Sequence, residues 1–173
     1  MPETSVLPVA ITDAAAIAAL ARDVWYATYP GIISLEQIEY MLDERYTPEV
    51  IRREIEAGVA GWDQVVEDGR PIAFVSYLPG ESPGDLKVDK LYVAEEAQRK
   101  GYGGLLLDHV AEVGRDRGFQ WLILAVNKRN EQAIRAYRKH GFWVREAVTK
   151  DIGQGFVMDD FIMERAIDGA ARF

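Results

Sequence analysis

The sequence predicts an α/β fold in which helices come first and a sheet of mixed strands follows. Hydrophobic residues recur at helical spacing between positions 14 and 29. Asp68-Gly69 then separates two strand-like runs, as the turn of a hairpin does. Farther along, a helical run after position 101 leads into the apolar stretch Phe119–Val126, so the strands on either side of this helix should be parallel neighbours. We therefore expect a mixed sheet.

The N-terminal elements are predicted from their capping residues. They are a short strand at 5–10, a helix from Thr12 or Asp13 to about Tyr29, a second helix after Ser34 and a third that starts at Thr47-Pro48. Side-chain oxygens of Ser, Thr and Asp accept hydrogen bonds from amides that have no partner in the first helical turn. Pro30-Gly31 ends the first helix, because proline disfavours helical geometry in the residue before it.

The later strands and helices follow from alternating and apolar runs. Strands are predicted at 61–67, 71–78, 86–93, 119–126, about 142–149 and 156–166, with helices from the glycine-rich turn to Arg117 and from Asn130 to His140. The run 119–126 is almost wholly apolar, which predicts a strand covered on both faces. The length suits a single hydrophobic core, so we expect one domain over 1–173 with a flexible tail at 167–173.

The composition limits the classes of partner. The chain has 20 Lys and Arg against 28 Asp and Glu, a net charge of −8, which argues against nucleic acid and is compatible with a cationic substrate. It contains no cysteine and only two histidines, so disulfides, a Cys nucleophile and a metal site are not expected. The N-terminus lacks a basic leader and no apolar run has the length of a membrane span, which predicts a cytoplasmic protein without a membrane partner.

The most informative stretch is 91–104, LYVAEEAQRKGYGG, where a strand leads through a glycine-rich turn into a helix. Gly101, Gly103 and Gly104 remove side chains where the backbone must bend or approach a ligand closely. The first amides of a helix have no partner within it and attract anions. Arg99 and Lys100 add positive charge at the same place. These features predict a phosphate-binding turn.

The spacing of this turn separates it from two common phosphate-binding motifs. A P-loop needs Lys followed by Ser or Thr, and Gly-Gly-Leu stands there instead. A dinucleotide-binding fingerprint needs a third glycine where this chain has Leu106. The pattern Gln98-x-x-Gly101-x-Gly103 resembles the pyrophosphate-binding turn of the GCN5-related N-acetyltransferases, the GNAT family.

A second segment strengthens this resemblance. The run VNKRNEQAIRAYRKHGF is similar to the second conserved segment of the same family, through Asn130, Ala133, Tyr137 and Gly141-Phe142. Asn130 and Tyr137 are two helical turns apart and share a face, with the small Ala133 between them. Taken alone, Asn130 predicts only a helix cap and Tyr137 only a core aromatic. The two segments together, in this order, carry the resemblance.

The resemblance implies a GNAT fold, in which a mixed sheet of six or seven strands is splayed between the fourth and fifth strands and flanked by helices. It implies acetyl-CoA as co-substrate, with the pantetheine arm lying along 91–93 and 124–126 and the pyrophosphate at the glycine turn. No metal is implied. The residues implied to contact the cofactor are Leu91, Tyr92, Val93, Gln98, Arg99, Lys100, Gly101, Tyr102, Gly103, Gly104, Asn130, Ala133 and Tyr137.

The resemblance also implies direct attack of a primary amine on the thioester, with Tyr137 as general acid. The general base is left open. Lys87 and Ala125 stand where two subgroups of the family carry a Glu, and Asp89 lies two residues from Lys87 on the same strand face. Asp89 is the candidate base, the alternatives being a surface Asp that pairs with Lys90 and an amine that loses its proton without a dedicated base.

The acceptor is expected to meet the N-terminal helices and the last hairpin, which vary most within the family. Trp25, Tyr26 and Tyr29 are candidates for cation-π contact with an amine, although Trp25 also fits the core face of its helix. Asp160, beside Asp159, is the candidate carboxylate for a cationic substrate.

These segments loosely resemble polyamine acetyltransferases, so a small amine or polyamine is the expected acceptor. Protein N-terminal or lysine acetylation and a non-catalytic CoA-binding sensor remain open. The family resemblance also suggests a homodimer through the C-terminal strands.

Overall fold

A computed structural model describes residues 5–167 of the 173-residue chain and has the predicted mixed α/β architecture. Short 3-10 helices at Ile11–Asp13 and Glu95–Ala97 precede α1 and the glycine turn. The helices are α1 (Ala14–Thr28), α2 (Leu35–Arg45), α3 (Pro48–Ala57), α4 (Tyr102–Asp116) and α5 (Glu131–Lys139). The strands are β1 (Val6–Pro8), β2 (Gly61–Glu67), β3 (Arg70–Pro79), β4 (Asp85–Val93), β5 (Trp121–Asn127), β6 (Trp143–Gly153) and β7 (Phe156–Ala166).

The described residues form two compact units, and β4 and α4 contribute to both. The first unit runs to Leu78 and resumes over Lys90–His109, and the second contains Pro79–Asp89 and the chain from Val110 onward. The strand order is β1-β2-β3-β4 in the first unit and β4-β5-β7-β6 in the second. The seven strands thus confirm the predicted sheet. That residues 1–173 fold as one domain stays a prediction.

Two helix starts in the first unit follow the predicted caps. Ser34 Oγ and Thr47 Oγ1 each accept a hydrogen bond from the amide three residues later, at 3.1 and 3.2 Å. At α1 the arrangement differs, because the Asp13 carboxylate accepts from the Ala10 amide at 2.8 Å. The chain makes one 3-10 turn there, and the α-helix begins only at Ala14.

The hairpin of β2 and β3 has the predicted turn. Asp68 and Gly69 both have positive φ, 52° and 78°, which is the backbone that matches the twist of paired strands. The two strands are antiparallel, and β1 pairs with β2 in the same sense. No helix among residues 5–167 is both long enough and apolar enough to cross a membrane.

In the second unit β4 and β5 are parallel only over part of their length. Their pairing runs from Asp85–Val88 against Trp121–Leu124 and stops before Asp89 and Ala125. The predicted splay therefore begins at these two residues. On its other side β5 is antiparallel to β7 along its whole length, and β7 is antiparallel to β6.

One expectation about β5 is wrong. Its side chains at 122, 124 and 126 are buried, whereas Ile123 is half-buried and Ala125 is exposed, so the strand is covered on one face only. Helix α4 lies on the covered face, since a Cβ added to Gly114 would meet Ile167 Cδ1 at 2.7 Å and Leu86 Cδ2 at 3.2 Å. Ala125 is apolar, but it is small enough to be exposed at little cost. The apolar composition of 119–126 therefore did not require that both faces of the strand be buried.

The predicted tail starts one residue too early. Ile167 is buried, and its amide donates to the Gln120 carbonyl at 2.8 Å. It therefore closes the second unit. Residues 168–173, the remainder of the predicted tail, lie outside the described residues.

A partly buried ion network joins β4, β6 and β7. Arg145 makes two hydrogen bonds to the Asp85 carboxylate, at 2.6 and 3.0 Å, and a third to Glu164 at 2.7 Å. Asp85 foremost, with Glu164, raises the pKa of Arg145 above its ordinary value, against the effect of burial. Two carboxylates thus share one guanidinium.

Candidate active site

The glycine turn presents backbone amides at the start of α4. Arg99 and Gly101 both have positive φ, 65° and 87°, which turns successive N–H groups toward one side. The first helical bond runs from Leu105 N–H to the Gly101 carbonyl at 3.0 Å, so the amides of residues 102–104 lie before it. Donors and the positive end of the helix dipole meet at one place, and an anion such as a diphosphate fits there.

The turn is held to the end of β4 by a side chain. Gln98 Nε2 donates to the Val93 carbonyl at 3.1 Å, and the Ala94 amide donates to Ile72 O on β3 at 2.8 Å. A Cβ added to Gly103 would lie 4.0 Å from Val93 Cγ2, so the strand does not crowd this position. Arg99 and Lys100 are exposed beside the turn. Gln98 thus holds the glycine turn against the end of β4. Its contact with a cofactor stays a prediction.

Helix α5 carries the second predicted group. Asn130 Oδ1 accepts a hydrogen bond from the Ala133 amide at 3.3 Å, which makes Asn130 the N-cap. Tyr137 is half-buried with its ring 5.8 Å from that of Phe142. Burial raises the pKa of Tyr137 to about 12, so its phenol keeps its proton at neutral pH. This side chain is equipped to donate a hydrogen bond.

The uncovered face of the second unit carries both predicted carboxylates. Cross-strand partners share a face, and the register pairs Ala125 with Ile162 and Asn127 with Asp160. Asp89 lies on the same face of β4 as Lys87, whose ammonium is 3.9 Å from it. The structure therefore brings Asp89 and Asp160 onto one half-open face.

Asp160 differs from the other carboxylates of this face. It is 9% exposed, and its Oδ1 has no hydrogen-bond partner among residues 5–167. Burial, and then the charge of Asp159, raise the pKa of Asp160, while Lys128 and other lysines oppose the shift. Asp159, by contrast, holds Lys128 Nζ at 2.6 Å. A buried carboxylate oxygen without a partner calls for a cation or a donor from outside the chain.

The predicted acceptor aromatics divide between core and surface. Trp25 is 2% exposed and lies 4.3 Å from the ring of Tyr29 and 6.4 Å from that of Tyr92. Tyr26 is half-buried, with the Arg22 guanidinium 5.4 Å from its ring. Trp25 is thus a core residue, as the alternative interpretation of its helix face predicted.

Sequence reasoning missed two features of this cluster. The Tyr46 hydroxyl lies 2.9 Å from the Tyr92 hydroxyl, and burial, followed by the charge of Tyr46, raises the pKa of Tyr92 well above its ordinary value. Lys90, whose side chain is fully buried, lies 3.4 Å from Glu54 Oε2 and over the rings of Tyr46 and Trp62. The partners of Tyr92 and Lys90 are distant in sequence, so no local pattern signalled them.

A third unpredicted group joins α4 to the sheet of the first unit. Asp63 Oδ2 accepts a hydrogen bond from the Tyr77 hydroxyl at 2.6 Å and lies 2.8 Å from His109 Nε2. Asp63 is buried, so these contacts satisfy its carboxylate. The contact of His109 ties α4, which carries the glycine turn, to β2.

The chain is similar to several known acetyltransferases. The sequence model of the family described as Acetyltransferase (GNAT) matches residues 21–142. A spermidine N(1)-acetyltransferase from Thermoplasma acidophilum is 28% identical over 86% of this chain and 91% of its own length. A probable N-acetyltransferase from Mycobacterium tuberculosis is 29% identical over 74% of this chain and 73% of its own. The crystal structure of the PaiA N-acetyltransferase from Thermoplasma acidophilum, in complex with coenzyme A, has a TM-score of 0.79 at 26% identity, covering 95% of this chain and 99% of that one.

Proposed function

The chain belongs to the GNAT family of acetyltransferases, and on this premise we propose that it acetylates a primary amine of a small molecule or polyamine, with Tyr137 as the general acid. The observation that carries the choice of acceptor is the buried Asp160 oxygen without a partner. The other carboxylates of this face that are at least half-buried are paired within the chain, Asp85 and Glu164 with Arg145 and Asp89 with Lys87, whereas Glu146 is exposed. An ammonium group of the acceptor would therefore supply the missing partner of the Asp160 carboxylate.

The co-substrate is acetyl-CoA, which supplies the acetyl group as a thioester. The amides of residues 102–104 and the left-handed backbone at Arg99 and Gly101 suit its diphosphate. The exposed Arg99 and Lys100 add charge of the opposite sign. On β4 and α5, residues 91–93 with Asn130 and Ala133 remain the proposed contacts of the rest of the cofactor.

Tyr137 is proposed to stabilise the leaving thiolate. Its pKa of about 12 keeps the phenol protonated throughout the range in which the enzyme would work. A positioned acid of this kind contributes about 10²- to 10⁴-fold to the rate. Asp89 is proposed as the base for the attacking amine, directly or through water, because it lies on the half-open face with Asp160.

The acceptor class has support from outside the site as well. A relative that is 28% identical is a spermidine N(1)-acetyltransferase, and polyamines carry the second ammonium that Asp160 would bind. The net charge of −8 favours encounter with cations. Tyr26 and Tyr29 are proposed to line the acceptor side, and Trp25, which is 2% exposed, packs against Tyr29 from the core.

The test is an initial-rate assay of CoA release with polyamines, monoamines and peptide N-termini as acceptors. We expect turnover with polyamines, and Asp160→Asn should raise KM for a polyamine about tenfold or more while leaving KM for a monoamine nearly unchanged. Asp159→Asn is the matched control, because that carboxylate is exposed and paired with Lys128. Turnover of peptide acceptors alone would replace this proposal with protein acetylation. Equal effects of Asp160→Asn on both amine classes would remove Asp160 from acceptor binding.

A further inference from the structure

Lys87 places a positive charge on the half-open face of the second unit, where the acceptor amine is proposed to react. Its partner on β5 is Ile123, and Ile123 pairs in turn with Glu164 on β7, so these three side chains lie in one row across the face. Asp89 follows Lys87 on the same side of β4, beyond the point where pairing with β5 stops. The Lys87 side chain is 39% exposed, so its charge acts on the space above the sheet.

The ion pair between Lys87 and Asp89 is loose. The ammonium lies 3.9 Å from the Asp89 carboxylate, which is longer than a hydrogen bond. The charge of Lys87 also reaches along the face, because burial raises the pKa of Asp160 and Lys87 is among the lysines that oppose this shift. Lys87 therefore adds a positive charge to the face without being enclosed by a carboxylate.

The other charged groups of this region are either engaged in ion pairs of their own or lie on β6. The engaged groups are Asp85, Glu164, Arg145, Lys128 and Asp159. Glu146 and Lys150 lie on β6, which is three strand spacings from β4, or about 14 Å. An amine over the exposed Ala125 of β5 therefore meets the Lys87–Asp89 pair first on its β4 side.

On the basis of the proposed function, we propose that the Lys87 ammonium keeps the reacting amine of the acceptor in its neutral, nucleophilic form. A protonated amine has no lone pair with which to attack a thioester. An unpaired carboxylate at Asp89 would hold this amine as an ammonium ion, whereas the like charge of Lys87 disfavours that ion. Lys87 acts through its charge and through Asp89, so it is a positioning residue for the reaction.

The two carboxylates of the half-open face thus have different tasks. The buried Asp160 oxygen has no partner among residues 5–167, so it suits the end of the acceptor that stays charged. Asp89 is already paired with Lys87, so it suits the end that arrives neutral. A diamine or polyamine can satisfy both sites at once, whereas a monoamine can satisfy only one.

The step balances in atoms and charge. The neutral nitrogen forms a bond to the acetyl carbon as the bond between that carbon and sulfur breaks, and the thiolate accepts the Tyr137 proton. The nitrogen gives up one proton to Asp89 or to water, and a proton returns to Tyr137 from solvent. Lys87 affects only the proton that the acceptor must lose before it attacks.

Single-turnover rates of acetyl transfer to a diamine, measured as a function of pH, test the proposal. In Lys87→Met the rate should rise with pH along a curve displaced by about one pH unit to the alkaline side, because a like charge nearby in a partly exposed site shifts an amine by about that much. The rate near neutral pH should therefore fall about tenfold and recover at high pH. The affinity for the diamine should rise, because Asp89 then attracts its ammonium form.

Two variants serve as controls. Lys87→Arg keeps the charge and should keep the wild-type curve. Lys150→Met removes the same charge from β6, at more than a Debye length from β4, and should leave the curve in place. An unshifted curve in Lys87→Met overturns the inference and leaves the proposed function standing. A rate that falls equally at every pH assigns Lys87 a purely structural role and overturns the inference as well.

A measurement without turnover separates this inference from the proposed function. Carbon-13 NMR of a diamine labelled beside its nitrogens, bound together with coenzyme A, reports the protonation of each amine. Loss of a proton at higher pH in Lys87→Met than in the wild type supports the inference even when neither protein transfers acetyl, a result that would refute the proposed function alone. A diamine that binds to neither protein overturns both.

Discussion

Removal of the Tyr137 hydroxyl separates catalysis from stability. The phenol oxygen forms no hydrogen bond with any other described residue, so Tyr137→Phe breaks no contact within the chain and keeps the packing against Phe142. The free energy of unfolding should therefore change by less than about 0.5 kcal/mol, which is a shift of roughly 1–2 °C in Tm for a chain of this size. As the proposed acid, however, the hydroxyl acts on the leaving group.

We expect kcat of Tyr137→Phe to fall about 10²- to 10⁴-fold, which corresponds to roughly 3–5 kcal/mol of transition-state stabilisation. Coenzyme A affinity, measured by calorimetry, should change little, because the lost group is needed only as the thiolate forms. Stopped-time assays of CoA release and a thermal melt on the same preparation give both numbers. Wild-type turnover by this variant would show that Tyr137 is not the acid, and a large loss of Tm would show that its hydroxyl has a structural partner.

Three further outcomes follow from the geometry. The raised pKa of Tyr137 means that the folded state holds the phenol proton more tightly than the unfolded state does. The free energy of unfolding should therefore fall as the pH rises from about 10 through 12. Tyr137→Phe should lose less of this free energy over the same range, as measured by denaturant titration. Gly101→Ala places a Cβ at φ 87°, so we expect about 1 kcal/mol of strain and weaker coenzyme A binding by calorimetry. Gly118→Ala, at φ 82° and outside the turn, should cost similar strain and leave coenzyme A binding unchanged. Equal affinity in the two variants would contradict a role for the backbone of the turn. Arg145→Met leaves Asp85, which is 4% exposed, without its cation and should lower the free energy of unfolding by about 3–5 kcal/mol, with an unchanged melt as the contrary result.

The sequence predicted the parts of the fold that local chemistry determines. Ser34 and Thr47 cap helices because their hydroxyls can reach an amide three residues on, wherever the helix later packs. Asp68-Gly69 forces the hairpin, since few other residues accept positive φ at both positions. The glycine turn could be predicted from local sequence in the same way. Its bracing by Gln98 on Val93 joins residues only five apart, yet spacing alone gave no sign of it.

Long-range features could not be predicted in this way. Tyr46 and Tyr92 are 46 residues apart, as are Asp63 and His109, and no periodicity links them. The open face of β5 was missed because Ala125 is apolar whether it is covered or not. The buried, unpartnered oxygen of Asp160 likewise depends on which strand β7 joins, and that is a property of the assembled sheet.

Lys90 gives the first unit an internal reporter of its own opening. Its amine is enclosed by Glu54, Tyr46 and Trp62, whereas Lys100 and Lys150 stand in solvent. An amine-specific acylating reagent would label the solvent-facing pair at once and reach Lys90 only when this part of the protein unfolds locally. The rate at which mass spectrometry detects label at position 90 would therefore measure that opening directly, in a protein whose own co-substrate is an acyl donor.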